Sequence, residues 1–103
     1  MPRLIYTPKA VEDLIRLREF IAQHNPEAAA RMARLLKDSA ARLKIHPLLG
    51  VAVEDLPFRD LIIPFGAGGY LLRYRVIMET QTVVVVAIRH AKEGDAAFAE
   101  IPV

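Results

Sequence analysis

The sequence of 103 residues contains no cysteine and a single serine, Ser39. Without cysteine the chain cannot form a disulfide, a thiol nucleophile or a thiolate metal site. The three histidines show neither HxH nor HExxH spacing, so we expect no structural metal and no cofactor. Because Ser39 falls within a predicted helix, we also expect no serine nucleophile.

Long hydrophobic runs are missing as well. The longest strictly apolar run is six residues, 83–88, whereas a transmembrane helix needs about 20. Residues 1–6 lack the apolar stretch of a signal peptide. We therefore expect a soluble, cytoplasmic protein without a membrane partner.

The charge is nearly balanced overall but unevenly distributed. The net charge is +2; residues 1–50 carry nine Lys or Arg against five Asp or Glu (+4), and residues 51–103 carry five against seven (−2). A basic first half favours an anionic partner, although solvated helix surfaces give the same pattern. The length allows one domain, which we expect to span residues 1–103.

Two dipeptides mark the starts of two helices. In Thr7-Pro8 and Asn25-Pro26 a side-chain oxygen can cap free N–H groups, and proline suits the first helical position, where no N–H bond is needed. These signals predict a strand over residues 3–6, a first helix over 8–24 and a second over 26–44. The short connection predicts a tight antiparallel helical hairpin.

Apolar residues in both predicted helices follow near-helical spacing. The apolar stripe of the first helix consists of Val11, Leu14, Ile15, Phe20 and Ile21. The residues of the second helix that we expect to face the core are Ala29, Met32, Leu36, Ala40 and Leu43.

The second half of the chain alternates between strand and turn signals. His46-Pro47 ends the second helix, and residues 48–57 are predicted to form a loop. Strands are predicted over 58–65, 70–78 and 82–89, with turns at 66–69 and 79–81 and a short tail over 96–103. The last strand is apolar at nearly every position, so we expect it to be central. The order β-α-α-β-β-β predicts an α+β fold, with a helical hairpin packed on one face of a small, mainly antiparallel sheet.

Basic residues on the predicted strands form the candidate site. Because side chains alternate along a strand, Arg73 and Arg75 share one face, opposite the face of Tyr70, Leu72 and Tyr74. This arrangement leaves the arginine face open to solvent or to a partner. The complete candidate set is Arg59, Arg73, Arg75, Arg89, His90 and Lys92.

Two kinds of partner suit this set. Arginine and lysine can clamp the phosphates of RNA or DNA, or they can pair with carboxylates of a protein. His90 is the one candidate for a general acid or base, because histidine is the side chain that titrates nearest neutrality. The alternative is that these are ordinary surface charges and that His90 is a hydrogen-bonding group at a strand end.

Six short segments, in the same order along the chain, resemble the RelE/ParE superfamily of bacterial type II toxins, and most closely its ParE (plasmid stabilisation) branch. They are TPKA followed by DL (7–14), NPEAA (25–29), HPLLG (46–50), FRDL (58–61), GYLLRYRV (69–76) and IRHAK (88–92). The resemblance covers nearly the full chain.

The resemblance implies a toxin that a cognate antitoxin holds inactive in a hetero-oligomer. ParE-type toxins poison DNA gyrase and block replication, whereas RelE-type toxins cut mRNA on the ribosome, and one fold serves both. RelE-type nucleases carry an arginine two residues after the hairpin glycine and a tyrosine near the C-terminus; the matching residues here are Leu71 and Phe98. Because phosphodiester cleavage needs charge stabilisation and proton transfer together, we expect the gyrase-directed function.

Two alternatives stay open. In a ribonuclease, His90 would act as general base or acid, with Arg73, Arg75 and Lys92 on the phosphate. In the other alternative, the chain binds an antitoxin without being toxic. Many ParE-like sequences also carry arginine at the position of Leu71, so we hypothesise that Arg73, two residues on and on the same face, supplies that charge.

Overall fold

Two α-helices cover one face of a five-stranded sheet in the computed structural model, which describes residues 1–94, Phe98 and Ile101. The elements in chain order are β1 (Arg3–Tyr6), α1 (Pro8–Ala22), α2 (Pro26–Arg42), β2 (Val51–Ala52), β3 (Arg59–Phe65), β4 (Gly68–Ile77) and β5 (Thr82–His90). The predicted α+β class, helical hairpin and mainly antiparallel sheet are confirmed. The predicted tail, residues 96–103, lies outside the described residues except for Phe98 and Ile101.

The order of the strands places β5 inside the sheet. The order is β1-β5-β4-β3-β2. β1 runs parallel to β5, and the other three pairings are antiparallel. Most side chains of β5 are buried, in agreement with the central position that its apolar sequence predicts.

Both helices start at the predicted caps. The Thr7 side chain accepts a hydrogen bond from the Ala10 N–H (3.1 Å), and the Asn25 side chain accepts one from the Ala28 N–H (3.0 Å). Each cap satisfies an N–H group that has no partner within its own helix. The proline that follows each cap is the first residue of the helix.

The second helix buries the predicted face, whereas the first helix buries only part of its predicted apolar stripe: Leu14 and Ile21 pack against the core. Every predicted core residue of α2 is buried. In α1 the buried residues are Ala10, Asp13 and Leu17. Three members of the predicted apolar stripe are instead exposed: Val11 (43%), Ile15 (51%) and Phe20 (71%).

The region predicted as a loop, residues 48–57, contains one short strand. Val51 and Ala52 pair with Asp60 and Arg59, so the prediction of an uninterrupted loop is wrong at these two positions. A strand of two residues shows no alternation, which explains why the sequence pattern misses it. β2 covers only the first part of β3, and Pro64 lies on the part of that edge that β2 does not cover.

A β-bulge interrupts the pairing of β4 with β5. Arg73 pairs with Ala87 and Tyr74 pairs with Val85, which leaves Val86 as the extra residue. The first helix supplies partners at this point. The Thr7 hydroxyl donates to the Val86 carbonyl (3.2 Å), and the Ile88 N–H donates to the Asp13 carboxylate (2.9 Å).

A buried tyrosine fixes the segment after α2. The Tyr74 hydroxyl donates to the Pro47 carbonyl (2.7 Å) and accepts from the Gly50 N–H (2.8 Å). Gly50 has no room for a side chain: a Cβ there would lie 2.7 Å from a Tyr74 ring carbon and 2.9 Å from the Asp60 carbonyl oxygen. The HPLLG segment therefore depends on glycine for packing.

Replacing Gly50 by alanine should destabilise the protein. The added Cβ would force the Tyr74 ring or the β3 backbone to move, which costs about 1–3 kcal/mol. Urea denaturation of Gly50→Ala measures this loss. Gly94→Ala is the matched control, since a Cβ at Gly94 meets no atom of the described residues within 4 Å. Equal unfolding midpoints for the two variants would contradict the packing role of Gly50.

Candidate functional site

Arg73 and Arg75 lie on the sheet face away from the helices, as predicted, but only one is open to solvent. Arg73 is largely buried and makes a bidentate ion pair with Asp60, with Nε to Oδ1 at 2.8 Å and Nη2 to Oδ2 at 3.0 Å. Asp60 is the direct cross-strand neighbour of Arg73. Arg75 is exposed. The carboxylate thus compensates the charge of Arg73, and Arg75 presents the accessible charge.

An aromatic ring lies against the arginines of this face. The guanidinium carbon of Arg73 is 4.5 Å from the centroid of the Phe98 ring, and that of Arg89 is 5.1 Å away. The Phe98 ring is buried, and both contacts are in the range of cation–π interactions. We call Asp60, Arg73, Arg75, Arg89 and Phe98 the arginine face.

Arg89 holds the turn that follows β5. Its Nη1 donates to the carbonyls of His90 (3.3 Å) and Ala91 (3.3 Å), and also to the carbonyl of Glu93. The guanidinium therefore binds three carbonyl oxygens of the turn, one of which, that of His90, also accepts the Glu93 N–H.

Residues 90–93 form a closed turn, which we call the basic turn. The His90 N–H donates to a Glu93 carboxylate oxygen (2.8 Å), and the Glu93 N–H donates to the His90 carbonyl (3.0 Å). The Lys92 N–H donates to Nδ1 of His90 (3.0 Å). The Lys92 side chain is exposed.

The contact to Nδ1 assigns the tautomer of His90. Since Nδ1 accepts a hydrogen bond, the proton of the ring is on Nε2. In this state the ring offers a donor and no free lone pair, so it cannot accept a proton without giving up the bond to Lys92. The arrangement favours a hydrogen-bonding role for His90 over the role of general base.

Arg59 lies apart from the other candidates. Its Nη1 donates to the carbonyls of Gly50 (2.8 Å) and Leu48 (3.4 Å). It therefore supports the segment that Tyr74 also fixes. The structure brings two pairs of the predicted site residues together. Arg73 and Arg89 lie on the arginine face, and His90 and Lys92 lie in the basic turn.

A cleft separates α1 from the basic turn. Its volume is about 930 Å³, and its walls include the exposed Ile15 and Phe20 on one side and Tyr70, His90 and Lys92 on the other. The rings of His90 and Tyr70 pack edge to face, with ring centroids 5.3 Å apart and perpendicular ring planes. A second concavity, of about 500 Å³, is lined by residues that include Val11 and Ile15.

The exposed side of α1 is the part of the site that sequence reasoning missed. Its signal is present in the spacing, because the apolar residues of α1 occupy more of the helix circumference than a single stripe does. Ala10, Leu14, Leu17 and Ile21 form a stripe at helical spacing, and Val11, Ile15 and Phe20 lie outside it. Large apolar side chains exposed outside the buried stripe indicate a surface for a partner.

Within the described residues, no group of three His, Cys, Asp or Glu side chains is arranged to hold a metal ion. None of the helices in that part of the chain is long and apolar enough to cross a membrane.

A family comparison matches most of the chain. The matching family is described as the ParE toxin of the type II toxin–antitoxin system parDE, and the match covers residues 4–94. The chain belongs to this ParE toxin family. It is a type II toxin–antitoxin toxin of the ParE/RelE superfamily.

This ParE-family chain is also similar to toxins of Caulobacter vibrioides. Toxin RelE3 is 38% identical over 86 residues, which is 84% of this chain and 90% of that protein. Toxin RelE2 is 35% identical over 91 residues, which is 88% of this chain and 97% of that protein.

Solved structures of both branches share the fold of this ParE-family chain. The chromosomal ParDE system of P. aeruginosa gives a TM-score of 0.73 at 19% identity, covering 89% of this chain and 98% of the other. The intact E. coli RelBE complex gives a TM-score of 0.62 at 17% identity, covering 90% and 100%. Names of both branches occur among the relatives, so the family identifies a toxin without distinguishing the ParE mechanism from the RelE mechanism.

Burial raises the pKa of all three tyrosines, Tyr6, Tyr70 and Tyr74, above the ordinary value of 10.0, and the charge of Glu93 adds to the rise at Tyr70. The folded state thus favours the protonated phenols. This contribution to the free energy of unfolding is fully present below pH 10 and is lost as the pH rises through the folded-state pKa values.

An alkaline titration followed by tyrosinate absorbance should therefore show less than half ionisation of the native protein at pH 10. The same titration in denaturant is the control, because unfolded phenols ionise with a pKa of about 10. Coincident native and denatured curves would contradict the burial of the phenols.

Proposed function

We propose that this toxin poisons DNA gyrase and blocks replication, and that a cognate antitoxin neutralises it. The observation that carries the proposal is the environment of Phe98. At the position where the RelE-type resemblance implies a tyrosine, a buried ring without a hydroxyl lies against Arg73 and Arg89. A group in this place stabilises the arginines and cannot transfer a proton.

The state of His90 supports the same choice. A ribonuclease needs a base that can take a proton from the attacking hydroxyl. In His90 the Nδ1 atom accepts the Lys92 N–H, and the remaining nitrogen carries the proton. The set of groups around the basic turn is therefore suited to binding rather than to proton transfer.

The accessible charges suit a protein target with carboxylates. Arg75 and Lys92 are exposed, while Asp60 already compensates the charge of Arg73. Exposed cations guide association with an acidic surface and set its specificity. We propose the cytoplasm as the site of action because gyrase is found there.

The proposal is tested by inducing the protein in a bacterium without the antitoxin and following thymidine and methionine incorporation together. DNA synthesis should stop first, and purified protein should inhibit supercoiling by purified gyrase. Protein synthesis that stops first, with cut mRNA, would contradict the gyrase target. Soluble protein that stops neither process would support an antitoxin-binding module without toxicity.

The induction experiment and the supercoiling assay also test the candidate arginines. Arg73→Ala should abolish toxicity if Arg73 supplies the charge missing at Leu71, and full toxicity would refute that hypothesis. Arg75→Ala should weaken gyrase inhibition about thirtyfold, the loss typical of an interface hot spot. Arg31→Ala, a change to an exposed arginine on α2, is the control.

One observation favours the ribonuclease as the second candidate. His90 and Lys92 lie in one turn, and two relatives of this chain are named RelE toxins. In that function Arg73, Arg75 and Lys92 would hold the phosphate, and His90 would act as general base or acid, which requires its Nδ1 to release the Lys92 N–H and to take up a proton. His90→Ala should then abolish mRNA cleavage, whereas in the gyrase-directed function the same change should weaken inhibition without abolishing it.

The exposed apolar side of α1 is the surface that we propose for the antitoxin. The solved relatives include the RelBE toxin–antitoxin complex of E. coli. In this chain Ile15 and Phe20 border the larger cleft, and Val11 borders the second concavity. An amphipathic segment that folds as it binds would bury these side chains. A short neighbouring reading frame with an acidic and apolar C-terminal half would supply the partner.

Ile15→Asp should lower the affinity for the protein encoded by that reading frame at least tenfold, because a carboxylate would have to be buried in an apolar contact. Ile45→Asp is the matched control: Ile45 is 76% exposed and lies after α2, away from this surface. Isothermal titration calorimetry measures both variants. Equal affinities would refute the assignment of this surface.

A further inference from the structure

A chain of ionic contacts joins α1 to the basic turn. Asp13 contacts Lys9 (3.1 Å) and Arg16 (3.6 Å) on the same helix. Arg16 continues to Glu93, with Nη1 2.9 Å from one carboxylate oxygen. The other oxygen of Glu93 accepts the His90 N–H at 2.8 Å. The helix is thus connected to the backbone of the turn through two side chains.

The same helix holds the strand just before the turn. The buried Asp13 carboxylate accepts the Ile88 N–H at 2.9 Å. Ile88 and Glu93 therefore both contact α1, one through Asp13 and one through Arg16. The residues between them, which include His90 and Lys92, are held at two points on one helix face.

The Arg16–Glu93 ion pair is more exposed to solvent than the contact between Asp13 and the Ile88 N–H. The side chains of Arg16 and Glu93 are 47% and 34% exposed. Exposed ion pairs contribute little to the stability of a fold. The pair nevertheless joins two residues that are 77 positions apart in the sequence. Its effect is therefore expected on the position of the turn more than on the free energy of unfolding.

We propose that Arg16 and Glu93 are positioning residues that set the basic turn in the orientation required for binding the target. The proposal rests on the proposed function, because it assumes that His90 and Lys92 contact the target. Arg16 does not itself bind the target. Its guanidinium fixes the Glu93 carboxylate, and this carboxylate fixes the backbone of the turn at His90.

Charge reversal and charge exchange test the proposal. Arg16→Glu should raise the concentration of protein that half-inhibits purified gyrase about tenfold, a size typical of coupling within a contact network. Glu93→Arg should have a similar effect. The double variant Arg16→Glu with Glu93→Arg restores an opposite-charge pair and should recover most of the inhibition. No antitoxin is present in this assay, so an effect of these variants on antitoxin binding cannot change the measured inhibition of gyrase.

A spectroscopic readout separates positioning from a general structural defect. In the single variants the amide resonances of His90 and Lys92 should shift, and the His90 amide should exchange faster with solvent, because its carboxylate acceptor is no longer held. The melting temperature of Glu93→Arg, which leaves the contact of Arg16 with Asp13 in place, should stay close to that of the unchanged protein. Arg34→Glu, a reversal of an exposed charge on α2, is the matched control for both readouts.

Three results would overturn the proposal: unchanged inhibition in both single variants, unchanged His90 and Lys92 resonances, or a double variant as weak as the single ones. The last result would indicate that Arg16 contacts the target directly. Failure of the proposed function has a different signature, since the unchanged protein would then leave gyrase active. The amide resonances would still decide whether Arg16 positions the turn.

Discussion

The attachment of α1 to β5 at the β-bulge is the contact on which the site geometry depends. β1 pairs with β5 only as far as Val85, and beyond that residue Thr7 and Asp13 bind two groups of β5, the Val86 carbonyl and the Ile88 N–H. An unpaired buried N–H would cost about 1–3 kcal/mol. The cap residue and a buried carboxylate thus fix the helix to the strand whose end carries Arg89 and His90.

This attachment also determines which side of α1 remains uncovered. With Ala10, Asp13 and Leu17 turned toward the sheet, the apolar residues outside that stripe must face solvent. The helix therefore has two roles: one side holds the end of β5, and the other presents Ile15 and Phe20 beside the cleft. The cleft and the basic turn are neighbours because the same helix borders both.

The predictable parts of the fold are those in which a local sequence pattern is compatible with only one structure. The caps at Thr7 and Asn25 and the buried face of α2 follow from residue type and from one apolar stripe. The buried face of α1 could not be predicted in the same way, because it includes a carboxylate whose partner, the Ile88 N–H, is distant in sequence. β2 is too short to show a period.

The candidate site was predictable in its residues more than in their roles. The alternation along β4 placed Arg73 and Arg75 on one face, as the structure has them. The pairing of Arg73 with Asp60 depends on the register of β3 against β4, which alternation alone does not determine. The contacts of Arg59 and of Nδ1 of His90 involve backbone groups, and these are set by the path of the chain.

The parallel pairing of β1 with β5 has a consequence for the order of folding during synthesis. Arg3 pairs with Thr82, 79 positions further along the chain, so β1 has no sheet partner while the helices and the β3–β4 hairpin emerge from the ribosome. Pairings this distant in sequence form late, since a long loop must close before any contact stabilises it. A nascent chain therefore lacks the basic turn and its attachment to α1 until residues 82–93 have been synthesised. The interval gives a partner present in the same cell time to meet the helical hairpin first.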